Sequence, residues 1–466
     1  MTNRHRLIGD RTFYRSIMRV AVPIMIQNGI TNLVGMLDNV MVGHLGTDPM
    51  SGVAIVNQLM FIFNLCVFGG TAGIGIFTAQ FHGNRDEEGV RYTFRMQIIL
   101  AVLLSAAGAA AFLLFGRQLI GFYLHQDGSG ASVTETLRFA MNYLAVMYAG
   151  LLPFAVTQVY STTLRNTGET VVPMRAGILA VIVNLAGNWV LIYGKLGIPA
   201  LGVQGAAAAT VLSRFVEMGT VMAWTHRHIE RNAFILGVYR KLFQIPKDLV
   251  RTVCAKAAPL LANEALWSGG QAALMQCYST RGLATVAALN IAATVANVFN
   301  ISFLAMGNAI GIQLGHQLGE GKIEEAKQDA GKHMLFSVMI CVATGALLLS
   351  VSHLFPLLYN TTDQIRHMAT MLIRVSAVCM PLYAFANASY FILRCGGKTL
   401  VTFLFDSCFA WGLTIPCAFI LTRFTSVPTV PLYFIVQMFE AVKCVLGFFM
   451  VRSGVWAQNL TKYEKV

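Results

Sequence analysis

Residues 53–79 read VAIVNQLMFIFNLCVFGGTAGIGIFTA, 27 positions without one Asp, Glu, Lys or Arg. A helix needs about 20 apolar residues to cross the hydrocarbon of a bilayer. Water is absent there, and only a helix satisfies its own backbone within one segment. The stretch therefore reads as a membrane-spanning helix. Eleven further apolar runs read the same way, near 17–43, 96–116, 139–162, 176–194, 201–225, 254–279, 285–315, 333–358, 368–392, 400–422 and 429–451. The alternating pattern of a membrane β-barrel is absent.

The composition of the whole chain agrees. Of 466 residues, 56% are hydrophobic and 12% charged, against about 25% charged in an average soluble protein. A mean hydropathy of +0.62 leaves too little polar surface to coat a soluble globule. Disordered, collagenous, coiled-coil and small disulfide-stapled chains are excluded. The nine cysteines are scattered, without a CxxC pair, and read as small packing residues rather than ligands or disulfides. The first sixteen residues are polar and basic and read as no removable signal peptide.

The net charge of +13 has two readings, a nucleic-acid partner or the positive-inside bias of a membrane protein. Its distribution decides for the second. With both termini in the cytoplasm, 25 of the 34 Lys and Arg fall in inside segments, so the charge needs no nucleic acid. The expected setting is a multi-pass protein of the plasma membrane with cytoplasmic termini.

The longest hydrophilic stretch, 226–253, divides the chain near its middle. The halves match across it. Pro23 to Asn28 aligns with Pro259 to Glu264 at an offset of 236; the elbow at Gln80 aligns with Gln317 at 237. Leu164-Arg165 aligns with Leu393-Arg394 at 229, and Glu217 with Glu440 at 223. Four ordered matches point to duplication of a six-helix unit, with an N-terminal lobe over 1–230 and a C-terminal lobe over 231–466. Such a plan suits alternating access, with substrate held between the halves.

The order of these elements resembles the multidrug and toxic compound extrusion (MATE) transporters over the whole chain. The resemblance rests on Pro23 followed by Asp38-Asn-Val-Met-Val-Gly43, the paired elbows at Gln80 and Gln317, the Leu-Arg elbows at 164 and 393, Asn184-x-x-x-Asn188, and Gly202-Val-Gln-Gly-Ala206. It implies an all-α membrane fold of twelve helices in two six-helix lobes, with Pro23 and Pro259 as hinges. It also implies a secondary-active exporter of small cationic or amphipathic organic compounds, driven by inward Na+ or protons.

Five carboxylates lie within spans: Asp38, Glu217, Glu264, Asp406 and Glu440. An ionisable residue at membrane depth is costly and so is a candidate for function. Asn184 and Asn188 are four apart and share a helix face, as do Ala206 and Thr210. In bacterial members of the family, an Asp, two Asn and a Thr form a cation site. The resemblance thus implies a site for Na+ at Asp38, Asn184, Asn188 and Thr210, with Ala206 lending its carbonyl. Oxygen ligands with one negative charge suit a hard monovalent ion, and the same Asp could take a proton instead.

The family also carries a coupling Glu in the seventh span, about eight residues after its proline. Here that position is Trp267, and Glu264 stands five after Pro259; its repeat mate is Asn28. Glu264 is read as a substrate or coupling carboxylate, with a bond to Asn263 or Trp267 as the plain alternative. Glu217 and Glu440 occupy matching places and read as architecture, each paired to a cation three residues away, Arg214 or Lys443. Asp406 is read either as functional or as solvated near its span's end.

No cofactor is expected beyond the coupling ion. No P-loop points to ATP and no catalytic constellation points to an enzyme. The expected assembly is a monomer in lipid. Rival readings are a lipid-linked-saccharide flippase, which calls for more Lys and Arg within spans, a metabolite exporter, and the major facilitator class, whose basic loop after the second span is missing.

Overall fold

A computed structural model describes residues 8–124, 132–359 and 361–461, the side chains of Val34 and Met36 excepted. The chain's polar start, the loop near 126–132, Lys462 and Lys465 fall wholly or partly outside that range. Within it run twelve long helical segments and no strand. They are α1 Arg11–Gly43, α2 Thr47–Gly83, α3 Glu87–Gly121, α4 Val133–Asn166, α5 Val171–Tyr193 and α6 Val203–Arg227. The second set is α7 Lys247–Ser279, α8 Leu283–Gly319, α9 Ile323–Val351, α10 Asp363–Cys395, α11 Thr399–Phe424 and α12 Thr429–Arg452.

Each expected span overlaps one of these helices, and nine lie wholly inside theirs; 176–194 and 201–225 overrun by one or two residues, and 333–358 runs past the end of α9 at Val351, where the chain turns through a short 3-10 helix at Phe355–Leu358. Ten are both long and apolar enough to cross a membrane; α6 and α7 are long enough but less apolar. Arg214 and Glu217 dilute the first, and Asn263, Glu264 and Gln271 the second. Helix starts follow local chemistry. Asp10 accepts from Phe13 N at 2.8 Å ahead of α1, and Asp48, Glu87, Asp248, Glu324 and Asp363 stand in first turns, where the helix dipole favours a carboxylate.

The repeat is visible in the turns. Between α2 and α3, Asn84 N donates to Gln80 O, Arg85 N to His82 O and Asp86 N to Phe81 O. Between α8 and α9, Glu320 N donates to His316 O, Gly321 N to Leu318 O and Lys322 N to Gln317 O. The same three bonds recur at an offset of 236, so Gln80 corresponds to His316 and not to Gln317. The left-handed residue of each turn agrees, Arg85 at φ 57° and Gly321 at φ 80°. Sequence alignment slipped by one residue because Gln looks like Gln, whereas the turn is defined by backbone bonds. At α4–α5 and α10–α11, Glu169 N to Leu164 O and Lys398 N to Leu393 O repeat the turn at the expected 229.

The chain forms two compact units. The N-terminal unit holds Ile26–Thr78 and Glu87–Arg251; the C-terminal unit holds Met1–Met25, Ala79–Asp86 and Thr252–Val466. The border in α1 falls three residues after Pro23, which lies inside that helix and removes one of its backbone bonds. Pro259 lies inside α7 in the same way.

Within the C-terminal unit, glycines bring the ends of α2 and α8 together. A Cβ on Gly83 would overlap His316 O, and a Cβ on Gly319 would overlap Gln80 O. Both pairs are repeat mates at 236, so the crossing is reciprocal. One apolar core here packs Ile17 and Ala21 of α1 against Met306, Ile310 and Leu314 of α8. The tail is strapped to the same region. Buried Gln80 donates Nε2 to Cys395 O at 2.8 Å and to Gln458 O at 3.1 Å, and its Oε1 accepts from Leu460 N at 2.6 Å.

Candidate functional site

Small residues bring α5 and α6 close in the N-terminal unit. A Cβ on Gly187 would stand 3.0 Å from Ala209 Cβ, and Gly205 lies against the backbone of Leu191. That approach aligns the polar faces of the two helices. Asn184 and Thr210 meet at 3.3 Å, and Thr210 Oγ1 donates to Ala206 O at 3.0 Å. Helix α1 supplies the charge: Asn188 Nδ2 donates to Asp38 Oδ1 at 2.6 Å. With its amide turned so that nitrogen faces the carboxylate, Asn184 donates to Asp38 Oδ1 at 2.8 Å and its oxygen lies 3.3 Å from Thr210 Oγ1, whose one proton it shares with the Ala206 carbonyl. That orientation gives the carboxylate a second amide donor.

The structure thus joins Asp38, Asn184, Asn188, Thr210 and the Ala206 carbonyl in one polar site. One acceptor there is left over. Asn188 Oδ1 is buried and has no hydrogen-bond partner among the described residues. A buried acceptor without a donor costs about 1–3 kcal/mol, and it adds a free oxygen to the Asp38 carboxylate. No group of three His, Cys, Asp or Glu that could hold a metal occurs among the described residues. Oxygen donors with a single carboxylate have the chemistry of a site for a hard monovalent cation or a proton. Tyr143 of α4 was not foreseen. It is buried, bonds Asn57 Oδ1 at 3.3 Å, and lies in reach of Thr210 and of the Asp38 charge. A lone Tyr in an apolar run gives no sequence signal.

Glu264 of α7 lies in the C-terminal unit, within electrostatic reach of Arg394 and Asp406. The alternative bonds to Asn263 or Trp267 are not made. Buried Asn263 donates to Asp406 Oδ2 at 3.2 Å and Tyr390 OH at 3.4 Å, and Ser407 Oγ donates to its Oδ1 at 2.6 Å. Trp267 is exposed and takes no part. Asn28 is half-buried in the N-terminal unit and stands outside the Asp38 site.

The expected pair Glu440–Lys443 is present at 3.2 Å. Lys443 also reaches Asp406 Oδ1 at 3.0 Å, so Asp406 is bound within the protein rather than simply solvated. The expected pair Glu217–Arg214 does not close to an ion pair among the described residues; Arg165 and Arg214 both lie within electrostatic reach of Glu217.

The sequence profile of the MatE family matches residues 23–190 and again 259–420. The chain belongs to the MatE family. The two matches begin 236 residues apart, the offset seen in the α2–α3 and α8–α9 turns. The chain is 24% identical over 447 residues to "Probable multidrug resistance protein NorM" of Thermotoga maritima, covering 96% of this chain and 93% of that one. It is also 24% identical over 414 residues to "Multidrug resistance protein MdtK" of Pectobacterium atrosepticum, with 87% of each covered. Among solved structures, the outward-facing conformation of a MATE family multidrug resistance transporter shares the fold at a TM-score of 0.84, with 20% identity and 96% of each chain covered. A MatE chain of this build, with its many apolar helices, is a multi-pass membrane transporter.

Proposed function

We propose that this MatE chain exports small cationic or amphipathic organic compounds, exchanging them for inward Na+ or protons by alternating access. The relatives' names, which speak of multidrug resistance, support the class of cargo. The observation that carries the coupling half is the unpartnered buried Asn188 Oδ1 beside Asp38, itself held by Asn188 and Asn184. An ion bound there would join Asp38 of α1 to α5 and α6. A proton on Asp38 would instead remove its charge and weaken the hold of both amides on Oδ1. Either ligand favours one arrangement of these helices, and exchange requires only that ion and substrate favour different ones.

In this reading Glu264 meets the substrate's positive charge, the protein works as a monomer in the plasma membrane, and both termini are cytoplasmic. The test is export of a fluorescent organic cation from vesicles holding the purified protein, with Na+ and proton gradients imposed separately. Export under one gradient alone names the coupling ion. Absence of export under both ends the reading.

A further inference from the structure

The two copies of the repeat share a frame of polar residues and differ in charge. In the N-terminal unit, Gln27 accepts from Arg165 Nη2 and lies against the backbone of Gly177. Glu217 is near Arg165 and Arg214. Offsets of 236, 229 and 223 carry these to Asn263, Arg394, Asp406, Glu440 and Gln437. The correspondence holds in space, because Asn263 lies against Asp406 as Gln27 lies against Gly177. The second copy adds Lys443 where the first has Thr220, and Glu264 where it has Asn28. The first frame thus holds one carboxylate and two cations. The second holds Glu264, Asp406 and Glu440 against Arg394 and Lys443, one negative charge in excess.

Lys443 is placed to set that balance. Its ammonium lies between Asp406 and Glu440, at 3.0 and 3.2 Å, and its side chain is only 10% exposed. The two carboxylates keep 22% and 27% of their side chains open, so the accessible side of the group presents oxygen and not ammonium. Asp406 reaches this position from a π-helical stretch, Leu404–Cys408, which interrupts the α-helical register of α11. Wide turns of this kind recur where a helix carries a functional residue.

We propose that Lys443 is a charge-specificity residue: an internal counter-ion that satisfies Asp406 and Glu440, leaves the group that includes Glu264 and Arg394 with one net negative charge, and thereby selects organic monocations over dications. The proposal rests on the exporter reading for its biological meaning, but binding to purified protein tests it without transport. Charges several ångströms apart in a site partly closed to water interact by kilocalories, so one charge more or less must alter the preference.

The probes are tetraphenylphosphonium as monocation and a bis(triphenylphosphonium)alkane as dication, titrated against the full-length protein in detergent. Wild type should bind the monocation in preference. Lys443→Gln should raise the dication-to-monocation affinity ratio by about tenfold or more. Asp406→Asn combined with Lys443→Gln restores the charge and should restore the ratio. Lys443→Arg should keep it and serves if Lys443→Gln does not fold. A Lys443→Gln ratio equal to wild type, an altered ratio in well-folded Lys443→Arg, or a wild type that binds neither probe overturns the proposal. Normal binding without export would instead overturn the exporter reading alone.

Discussion

Asn188 donates its side-chain amide to Asp38 Oδ1 at 2.6 Å, across 150 residues of sequence. The amide's other end is buried and unpartnered, so one residue both holds the carboxylate and offers an oxygen beside it. A purely structural Asn would have both ends satisfied. This asymmetry makes the first test specific.

Asp38→Asn keeps the size of the side chain but removes the charge. The protein should still fold, because neutralising a charge at membrane depth lowers its burial cost. Gradient-driven export should fall by about 5- to 150-fold, the range of a coupling free energy of about 1–3 kcal/mol. Asn188→Ala removes one neutral oxygen and should give a smaller loss. Export is measured in vesicles, with substrate binding as the control. Full driven export by well-expressed Asp38→Asn would remove Asp38 from the coupling step and leave Glu264 as the candidate.

Glu264→Gln should weaken binding and export of cationic compounds more than of neutral ones of the same shape. Glu264 carries the charge in this part of the C-terminal unit that neither Lys443 nor Asn263 engages. Equal loss for charged and neutral cargo, read as paired export rates, would assign Glu264 to ion coupling or to structure.

The glycine pair at the α2–α8 crossing separates overlap from backbone strain. Gly319→Ala would place a methyl group on the Gln80 carbonyl, and backbone cannot swing aside as a side chain can. Overpacking of this kind costs about 1–3 kcal/mol or more. Gly321→Ala meets open space and suffers only its φ of 80°, at about 1–2 kcal/mol. In detergent melting, Gly319→Ala and Gly83→Ala should fall further than Gly321→Ala. The reverse order would mean that the crossing relaxes freely.

Gln80→Ala should release the tail. Its amide makes three bonds to the Cys395 and Gln458 carbonyls and the Leu460 N–H; losing them strands the buried Cys395 carbonyl at about 1–3 kcal/mol and leaves the two half-buried tail groups to water. Amide exchange over 454–461 should accelerate, while exchange in α5 stays as in wild type. Unchanged tail exchange would show that buried Trp456 and the bond from Asn459 to Gly319 O hold the strap without Gln80.

Much of this protein is written locally. Hydrocarbon admits only helices of a set length, so apolar runs such as 53–79 marked all twelve segments. The repeat was legible because duplicated prolines, elbows and carboxylates keep their order. Asp38 stood out because a lone acid in an apolar run is conspicuous, and Asn184 and Asn188 because four residues return to one helix face. The sequence went no further for a physical reason. A membrane helix is apolar on nearly every side, so no amphipathic stripe says which face meets which neighbour. Only the folded chain could therefore pair Lys443 with Asp406 as well as Glu440, set Tyr143 beside Thr210, and bring Arg165 as well as Arg214 near Glu217. Only backbone hydrogen bonds could move the mate of Gln80 from Gln317 to His316. Those partners lie tens to hundreds of residues apart, and their meeting depends on how closely glycines let the helices approach.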